Sequence, residues 1–289
     1  MKKNIIFVVN PISGDLDKSD LIDAVQEFAT TNRFDLEVYE TTGKSDQKNI
    51  QTLYNQYKPE RIIVAGGDGT IKMVAEAMEE HDVIIGILPA GSANGLSVDL
   101  NLPATIEENL KIAFLNRYIE MDMICINGKK SIHLSDIGIN ADLVKNYEKS
   151  NLRGFWGYAL QAYTTLVESE APFVATITAN KKTVEHVARI IVIANSQKYG
   201  TGVTINPNGA MNDGKFELVI LKSLDILLLG KIITGNMPID SDDVVIISTD
   251  KATIKTDYPV NFQIDGEYCG AQTDLEIHIL HKQMKIAVP

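Results

Sequence analysis

Cysteine is scarce in this chain of 289 residues: Cys125 and Cys269 lie far apart, and neither belongs to a CxxC pair. That usage argues against a disulfide framework and a zinc site, and leaves reduced thiols as the expectation. Long apolar runs are missing too. No stretch approaches the ~20 residues of a membrane span, and even Leu224 to Ile233 is broken by Asp225, Gly230 and Lys231. The N-terminal run from Ile5 to Val9 follows two lysines but is too short for a signal-peptide core and has no small-residue cleavage site. These absences predict a cytoplasmic protein. Positive charge is in deficit, with 27 Lys and Arg against 38 Asp and Glu, a net charge of -11. Broad nucleic-acid binding, which needs a basic surface, is thereby excluded. Anionic lipid headgroups are repelled as well, unless a local basic patch overrides the balance. The histidines His81, His133, His186, His278 and His281 show no metal-ligand spacing, and the chain has no internal repeat, low-complexity tract or long flexible linker.

What is present is ordinary globular material. A hydrophobic content of 45% over this length can bury a substantial core and suggests roughly two domains. The first ~120 residues alternate short apolar runs with amphipathic stretches, as in βα units winding a parallel sheet. Strands are predicted at Asn4 to Val9, Leu36 to Glu40, Arg61 to Ala65 and Val83 to Leu88, with helical faces at Leu21, Val25 and Phe28 and at Ile50, Leu53, Tyr54 and Tyr57. Each strand end carries a polar or glycine-rich loop, and in an open α/β sheet such loops converge on a ligand. From about Asp122 the character changes to β-rich runs separated by Asn127-Gly128, Pro207-Asn208-Gly209, Asp213-Gly214 and Asp265-Gly266. This reads as an antiparallel sandwich or barrel with the domain boundary near Met121. A helical stripe of Phe155, Ala159, Ala162, Tyr163 and Leu166 interrupts it.

The most informative stretch is Arg61 to Thr70, where an apolar strand stops at Gly66, Gly67 and Gly69 with Asp68 among them. Glycine permits positive φ and close approach of backbone amides to an anion. Thr70 is expected to cap a helix carrying Ile71, Val74, Ala75 and Met78, so that its free amides face the same crevice. A bare strand-to-helix turn would need the glycines but has no use for a carboxylate at its apex. The corner reads as a phosphate site.

Gly66-Gly67-Asp68-Gly69-Thr70 alone is compatible with several nucleotide-using kinases, including those that phosphorylate NAD or fructose 6-phosphate. The neighbouring motifs narrow the choice. Asn10-Pro11-x-Ser13-Gly14, the glycine corner, Leu88-Pro89-Ala90-Gly91-Ser92-Ala93-Asn94, Asn195 with Tyr199-Gly200-Thr201-Gly202, Pro207 with Asp213-Gly214, Ile264-Asp265-Gly266-Glu267 and the closing Met284 to Pro289 follow one another in that order. Together they resemble the catalytic domain shared by diacylglycerol kinases, sphingosine kinases and related bacterial lipid kinases, over essentially the whole chain.

The resemblance implies a Rossmann-like or phosphofructokinase-like parallel α/β domain over residues 1–121, joined by a strand returning at about 280–289. It implies a β-sandwich lipid-substrate domain over 122–279, with ATP in the cleft between them. Asn10, Ser13, Thr42, Gly66, Gly67, Gly69, Thr70, Gly91, Ser92 and Asn94 would then contact the nucleotide. Phosphoryl transfer also needs charge neutralisation and a group that accepts the hydroxyl proton. Asp68 would stand near the phosphates and hold Mg²⁺, while Glu267 and Asp68 are competing candidates for the base. Asp122 would join Asp68 in a carboxylate network whose usual third member is absent, because Gly95 stands where diacylglycerol-kinase-like sequences carry aspartate. Asp142 matches a headgroup position in sphingosine kinases, and Asp213 with Glu217 matches a structural Mg²⁺ position, although an Asp-Gly hairpin explains the same residues without metal. Lys145 to Tyr158, with Lys149, Arg153, Phe155 and Trp156, offers a basic and aromatic patch for peripheral membrane association, against the commoner reading of a helix packing its aromatics inward. The activity implied is ATP-dependent phosphorylation of a diacylglycerol- or sphingoid-type lipid at the membrane surface, and a homodimer is compatible with it. The alternatives are an NAD kinase and a non-catalytic nucleotide- or lipid-binding member.

Overall fold

A computed structural model describes residues 3–15, 17–138, 141, 171–198, 202–223 and 241–289. The helical stripe near Phe155, the basic patch, Asp142 and residues 199–201 of the Tyr199 motif lie outside the described residues. In chain order the helices are α1 (Ser19–Thr31), α2 (Asp46–Tyr57), α3 (Asp68–Ala77), α4 (Gly95–Asp99) and α5 (Ile106–Leu115). The strands are β1 (Asn4–Val9), β2 (Asp35–Glu40), β3 (Arg61–Gly66), β4 (Ile84–Pro89), β5 (Tyr118–Ile126), β6 (Lys129–Ser131), β7 (Leu134–Gly138), β8 (Phe173–Ala179), β9 (Lys182–Ala188), β10 (Ile190–Ala194), β11 (Phe216–Leu221), β12 (Val244–Thr249), β13 (Lys251–Ile264) and β14 (Glu267–Ala287). The chain divides into two units: Met1–Met121 with Gly200–Gly202 and Lys282–Pro289, and Asp122–Tyr199 with Val203–His281.

The first unit is an α/β layer structure. β2, β1, β3 and β4 lie side by side and parallel, and Lys285 and Ile286 of β14 extend the sheet by pairing parallel to Ile84 and Ile85. The four expected strands are found within a residue of their predicted ends. Their legibility has a physical cause: all six residues of β3 are buried, and the run Ile62-Ile63-Val64 supplies β-branched apolar side chains to both faces. Ile5, Phe7, Val9, Ile63, Ala65 and Leu88 form a core with Val25 and Ala29 of α1 and Leu110, Ala113 and Phe114 of α5. The alternate residues Ile6, Val8, Ile62, Val64 and Ile87 are buried as well, and α2 and α3 lie against β1 and β3. A sheet wound this way directs all its β-to-α loops to one edge.

The second unit is antiparallel. β12, β11, β10, β7, β13 and β14 pair in that order, and the β8–β9 hairpin adds to β13. Ile191 and Ile193 of β10 enter one core with Leu218, Ile220, Phe262 and Leu275. Ile190, Val192 and Ala194 enter a second core with Val219, Leu221 and Ile205. A strand buried on both faces loses its alternation, so β10 reads as an unbroken apolar run. Two of the expected turns are two-residue hairpins with positive φ at both positions: Asn127 and Gly128 at 48° and 80°, and Asp265 and Gly266 at 49° and 86°. Cys125 is buried and Cys269 half-buried, and both are free thiols. Among the described residues no helix is long and apolar enough to cross a membrane.

Candidate active site

The loops after β1, β3 and β4 are tied to one another. Asn10 Nδ2 donates to Thr70 Oγ1 at 3.0 Å, joining the first loop to α3. Ser13 Oγ lies 2.8 Å from the Ala90 carbonyl and 3.0 Å from that of Asn10, and the buried Lys18 donates its Nζ to the Ser13 carbonyl at 2.7 Å. Gly14, at φ 64°, lies so close to the β4 loop that a Cβ there would stand 2.8 Å from the Ala90 oxygen. In the β4 loop, Asn94 folds back on Gly91, its Oδ1 accepting from the Gly91 amide and its Nδ2 donating to the Gly91 carbonyl, both at 2.8 Å. Ser92 between them is exposed. The β2 loop is organised separately, by Asp46 at the start of α2.

The glycine corner differs from its sequence reading in two respects. None of Gly66, Gly67 and Gly69 has a positive φ. What Gly66 provides is closeness, since a Cβ there would lie 2.6 Å from Thr70 Cβ and Oγ1, and a Cβ on Gly91 would lie 2.4 Å from the Gly67 Cα. Gly69 has no such neighbour: nothing lies within 4 Å of the place its Cβ would take. Thr70 also does not cap α3. The helix begins at Asp68 with Gly67 in the capping position and no side-chain cap, and Thr70 sits in the first turn with its hydroxyl receiving Asn10. The amides of Asp68 and Gly69 are two of those that a helix start leaves without intrahelical partners, and neither donates to another backbone carbonyl.

Asp68, the first residue of the helix, is engaged by the segment after β4. Its Oδ2 accepts from the Gly95 amide at 2.8 Å and its Oδ1 from the Leu96 amide at 3.0 Å, so it fixes the first turn of α4. The position where a third carboxylate was missed thus contributes a backbone N–H to the remaining one. Each Asp68 oxygen keeps a lone pair for a cation, and Asp68 is only half-buried.

Among the second unit's candidates, Glu267 follows the Asp265-Gly266 turn as the first residue of β14, exposed, and its carboxylate makes no hydrogen bond or ion pair with the described residues. Its neighbour Asp265 holds the turn down, accepting from Ser131 Oγ at 2.8 Å, from the His133 amide at 3.0 Å and from the Ile132 amide at 3.1 Å. Asp122 is fully buried, with Oδ2 accepting from the Gly214 amide at 2.7 Å and Oδ1 2.7 Å from His281 Nδ1. Glu217 is buried with Oε2 accepting from Asn206 Nδ2 at 2.7 Å and Oε1 from Ser248 Oγ at 2.8 Å. Asp213 accepts from the Lys215 amide at 3.0 Å and so closes its own turn. The contacts of Asp213 and Glu217 are those of a hairpin and a buried hydrogen-bond network, with no partner in common.

Comparison with known proteins accords with this arrangement. The profile of the diacylglycerol kinase catalytic domain matches residues 4–126, and that of the YegS C-terminal NAD kinase beta sandwich-like domain matches residues 136–288. The second match covers more than half of the chain, which thus belongs to the family with the YegS C-terminal NAD kinase beta sandwich-like domain, and residues 4–126 match a diacylglycerol kinase catalytic domain. A protein of Escherichia fergusonii named "Probable lipid kinase YegS" is 26% identical over 257 residues, covering 86% of this chain and 85% of that one. An uncharacterized protein of Synechocystis is 28% identical over 242 residues, covering 79% of this chain and 54% of that one, so the chain spans about half the length of that relative. A crystal structure of a diacylglycerol kinase from Bacillus anthracis superposes with a TM-score of 0.76 at 20% identity, covering 99% of this chain and 97% of that one. The fold of this family, an N-terminal α/β domain and a C-terminal β-sandwich, is the one described above.

Family membership implies ATP and typically a divalent cation. No group of three or more His, Cys, Asp or Glu side chains placed to hold a metal ion occurs among the described residues, but magnesium at a nucleotide site is commonly held by one or two carboxylates and the substrate's own phosphates. The half-buried Asp68 beside helix-start amides without intrahelical partners fits that mode. Sequence reasoning missed Asp46 and Lys18, whose partners lie three to seven residues upstream, and the pairing of His281 with the distant Asp122.

Proposed function

We propose that the chain is an ATP- and Mg²⁺-dependent kinase that transfers the γ-phosphate to a hydroxyl of a diacylglycerol- or sphingoid-type lipid. The first unit binds the nucleotide and the second the lipid, in a protein that works peripherally at a membrane surface. The observation that carries this reading is the glycine corner, with first-turn amides that lack intrahelical partners and an adjoining carboxylate. The amides of Asp68 and Gly69, with the exposed Ser92 hydroxyl, grip phosphate oxygens, and the loop fixed by Asn94 holds that hydroxyl in place. Magnesium held by Asp68 would neutralise charge on the phosphates. Glu267, whose carboxylate is unengaged, takes the proton of the attacking lipid hydroxyl, whereas Asp68 is committed to the amides of α4. Asp142 remains the headgroup candidate.

The test is incubation with γ-labelled ATP and separate panels of diacylglycerol, sphingosine, dihydrosphingosine, ceramide and NAD. Label is expected in a diacylglycerol or a sphingoid base. Label in NAD alone would replace the proposal with a dinucleotide kinase, and silence across the panel with ATP bound would replace it with a non-catalytic binding protein.

A further inference from the structure

The β2 loop, Thr41 to Ser45, carries Thr42, one of the expected nucleotide contacts, and takes an unfavourable path: Gly43 has φ 76° and Ser45 φ 57°. Ser45 occupies the capping position of α2 without a side-chain cap bond. The loop is held instead by Asp46, the first residue of the helix, whose carboxylate turns back upon it. Oδ1 accepts from the Thr42 amide at 3.0 Å, the Thr42 hydroxyl at 3.1 Å and the Tyr39 hydroxyl at 2.6 Å, while Oδ2 accepts from the Gly43 amide at 2.7 Å. Burial raises the Asp46 pKa, but the hydrogen bonds from Tyr39, Thr42 and Gly43 outweigh it and hold the group below its ordinary value, so it is ionised at neutral pH.

The chemistry of Thr42 follows from proton counting. Its hydroxyl has one proton and two acceptable destinations, Asp46 Oδ1 at 3.1 Å and the Lys44 carbonyl at 3.2 Å. A carboxylate outcompetes a neutral carbonyl for that proton. The Lys44 amide donates to the same hydroxyl oxygen at 3.2 Å, which leaves one lone pair. With both its N–H and its O–H directed to Asp46, the exposed Thr42 has nothing to give a phosphate oxygen and one acceptor site to offer, beside an anionic carboxylate that repels phosphate.

We propose that Asp46 is a positioning residue that fixes Thr42 as a hydrogen-bond acceptor, so that this loop recognises a donor group on the nucleoside, a ribose hydroxyl or an exocyclic amine, and not the phosphates. This rests on the kinase reading above. The experiment is displacement of a fluorescent ATP analogue by ATP, AMP, 2′-deoxy-ATP and inosine triphosphate, on wild type, Thr42→Val, Thr42→Ser and Asp46→Asn. Thr42 is exposed, so its variants keep the assignment testable even if Asp46→Asn does not fold. Thr42→Val is expected to weaken ATP and AMP by the same factor, roughly 3- to 10-fold, with Thr42→Ser near wild type and the Asp46→Asn loss much reduced in a Thr42→Val background. In wild type, a matching loss with 2′-deoxy-ATP assigns the donor to the ribose, and one with inosine triphosphate assigns it to the base amine. A Thr42→Val loss confined to ATP and absent with AMP would make Thr42 a phosphate ligand and overturn the proposal, as would unchanged binding in every variant. Absence of any nucleotide uptake by the wild type would overturn this proposal and the kinase reading together.

Discussion

Replacing Gly69 with alanine separates folding from nucleotide binding more cleanly than any other change in the site. A Cβ at Gly69 meets nothing within 4 Å, and the residue lies in the first turn of α3. The fold therefore has no steric objection, and a helical glycine exchanged for alanine gains up to about 0.5–1 kcal/mol through the unfolded chain. The methyl group would occupy the space beside the amides of Asp68 and Gly69, where phosphate oxygens are proposed to lie. Losing one hydrogen bond to a charged group there costs about 1.5–3 kcal/mol, which is roughly a 10- to 100-fold weaker dissociation constant for ATP. The assay is a pair of measurements on Gly69→Ala and wild type: urea unfolding followed by circular dichroism, and titration calorimetry with ATP and Mg²⁺. Equal or higher stability with weakened ATP binding is expected. A variant that binds ATP as wild type does would show that the corner is not a phosphate site, and one that unfolds more readily would show that the empty space beside Gly69 is filled by protein.

Gly91→Ala should do the reverse, because its Cβ would lie 2.4 Å from the Gly67 Cα; forcing two backbones apart costs roughly 1–3 kcal/mol or more, seen as a lower unfolding midpoint without any ligand. Glu267→Gln should cut turnover roughly 100-fold or more with ATP affinity retained. Asp68→Asn should weaken both stability and ATP use, since the new amide group opposes the Gly95 or Leu96 N–H; normal turnover in Glu267→Gln would remove it as the base. His281→Ala should lower stability by roughly 1–2 kcal/mol, because it withdraws a partner from the buried Asp122 carboxylate. An unchanged midpoint in urea would mean that the contact is incidental.

Much of the fold was legible because burial on two faces leaves a mark on composition. β1, β3 and β4 are apolar apart from their opening Asn4 and Arg61, and the loops that follow them are glycine-rich or polar, so their limits could be read almost to the residue. β10 is equally apolar and β11 nearly so, its Glu217 apart, but nothing local says that their two faces enter different cores. That is decided by which strands become their neighbours. The glycine corner was legible as a special backbone, but positive φ, one of the two uses of glycine expected there, is absent, and the closeness of Gly67 to Gly91 is shared with another loop. Gly67 and Gly91 need each other's small size, and the sequence separates them by a helix and a strand.

Thr70 and Asp68 carry the same lesson about electrostatics. A threonine after glycine, ahead of an apolar periodicity, has the composition of a helix cap, and by local rules it should be one. The helix starts three residues earlier, with the Gly67 carbonyl taking the Thr70 and Ile71 amides, and the Asp68 carboxylate reaches the amides of Gly95 and Leu96, a partnership set by the parallel order of β3 and β4. The same bond alters the meaning of Gly95. As a missing carboxylate it suggested a site that had lost part of its machinery; as a backbone donor it secures the carboxylate that remains, and a side chain at 95 is not what Asp68 depends on. Loss of one acid therefore does not by itself argue for a non-catalytic protein. What weighs more is that Glu267, standing next to an aspartate fully engaged in holding its turn, keeps a carboxylate that the described residues do not use.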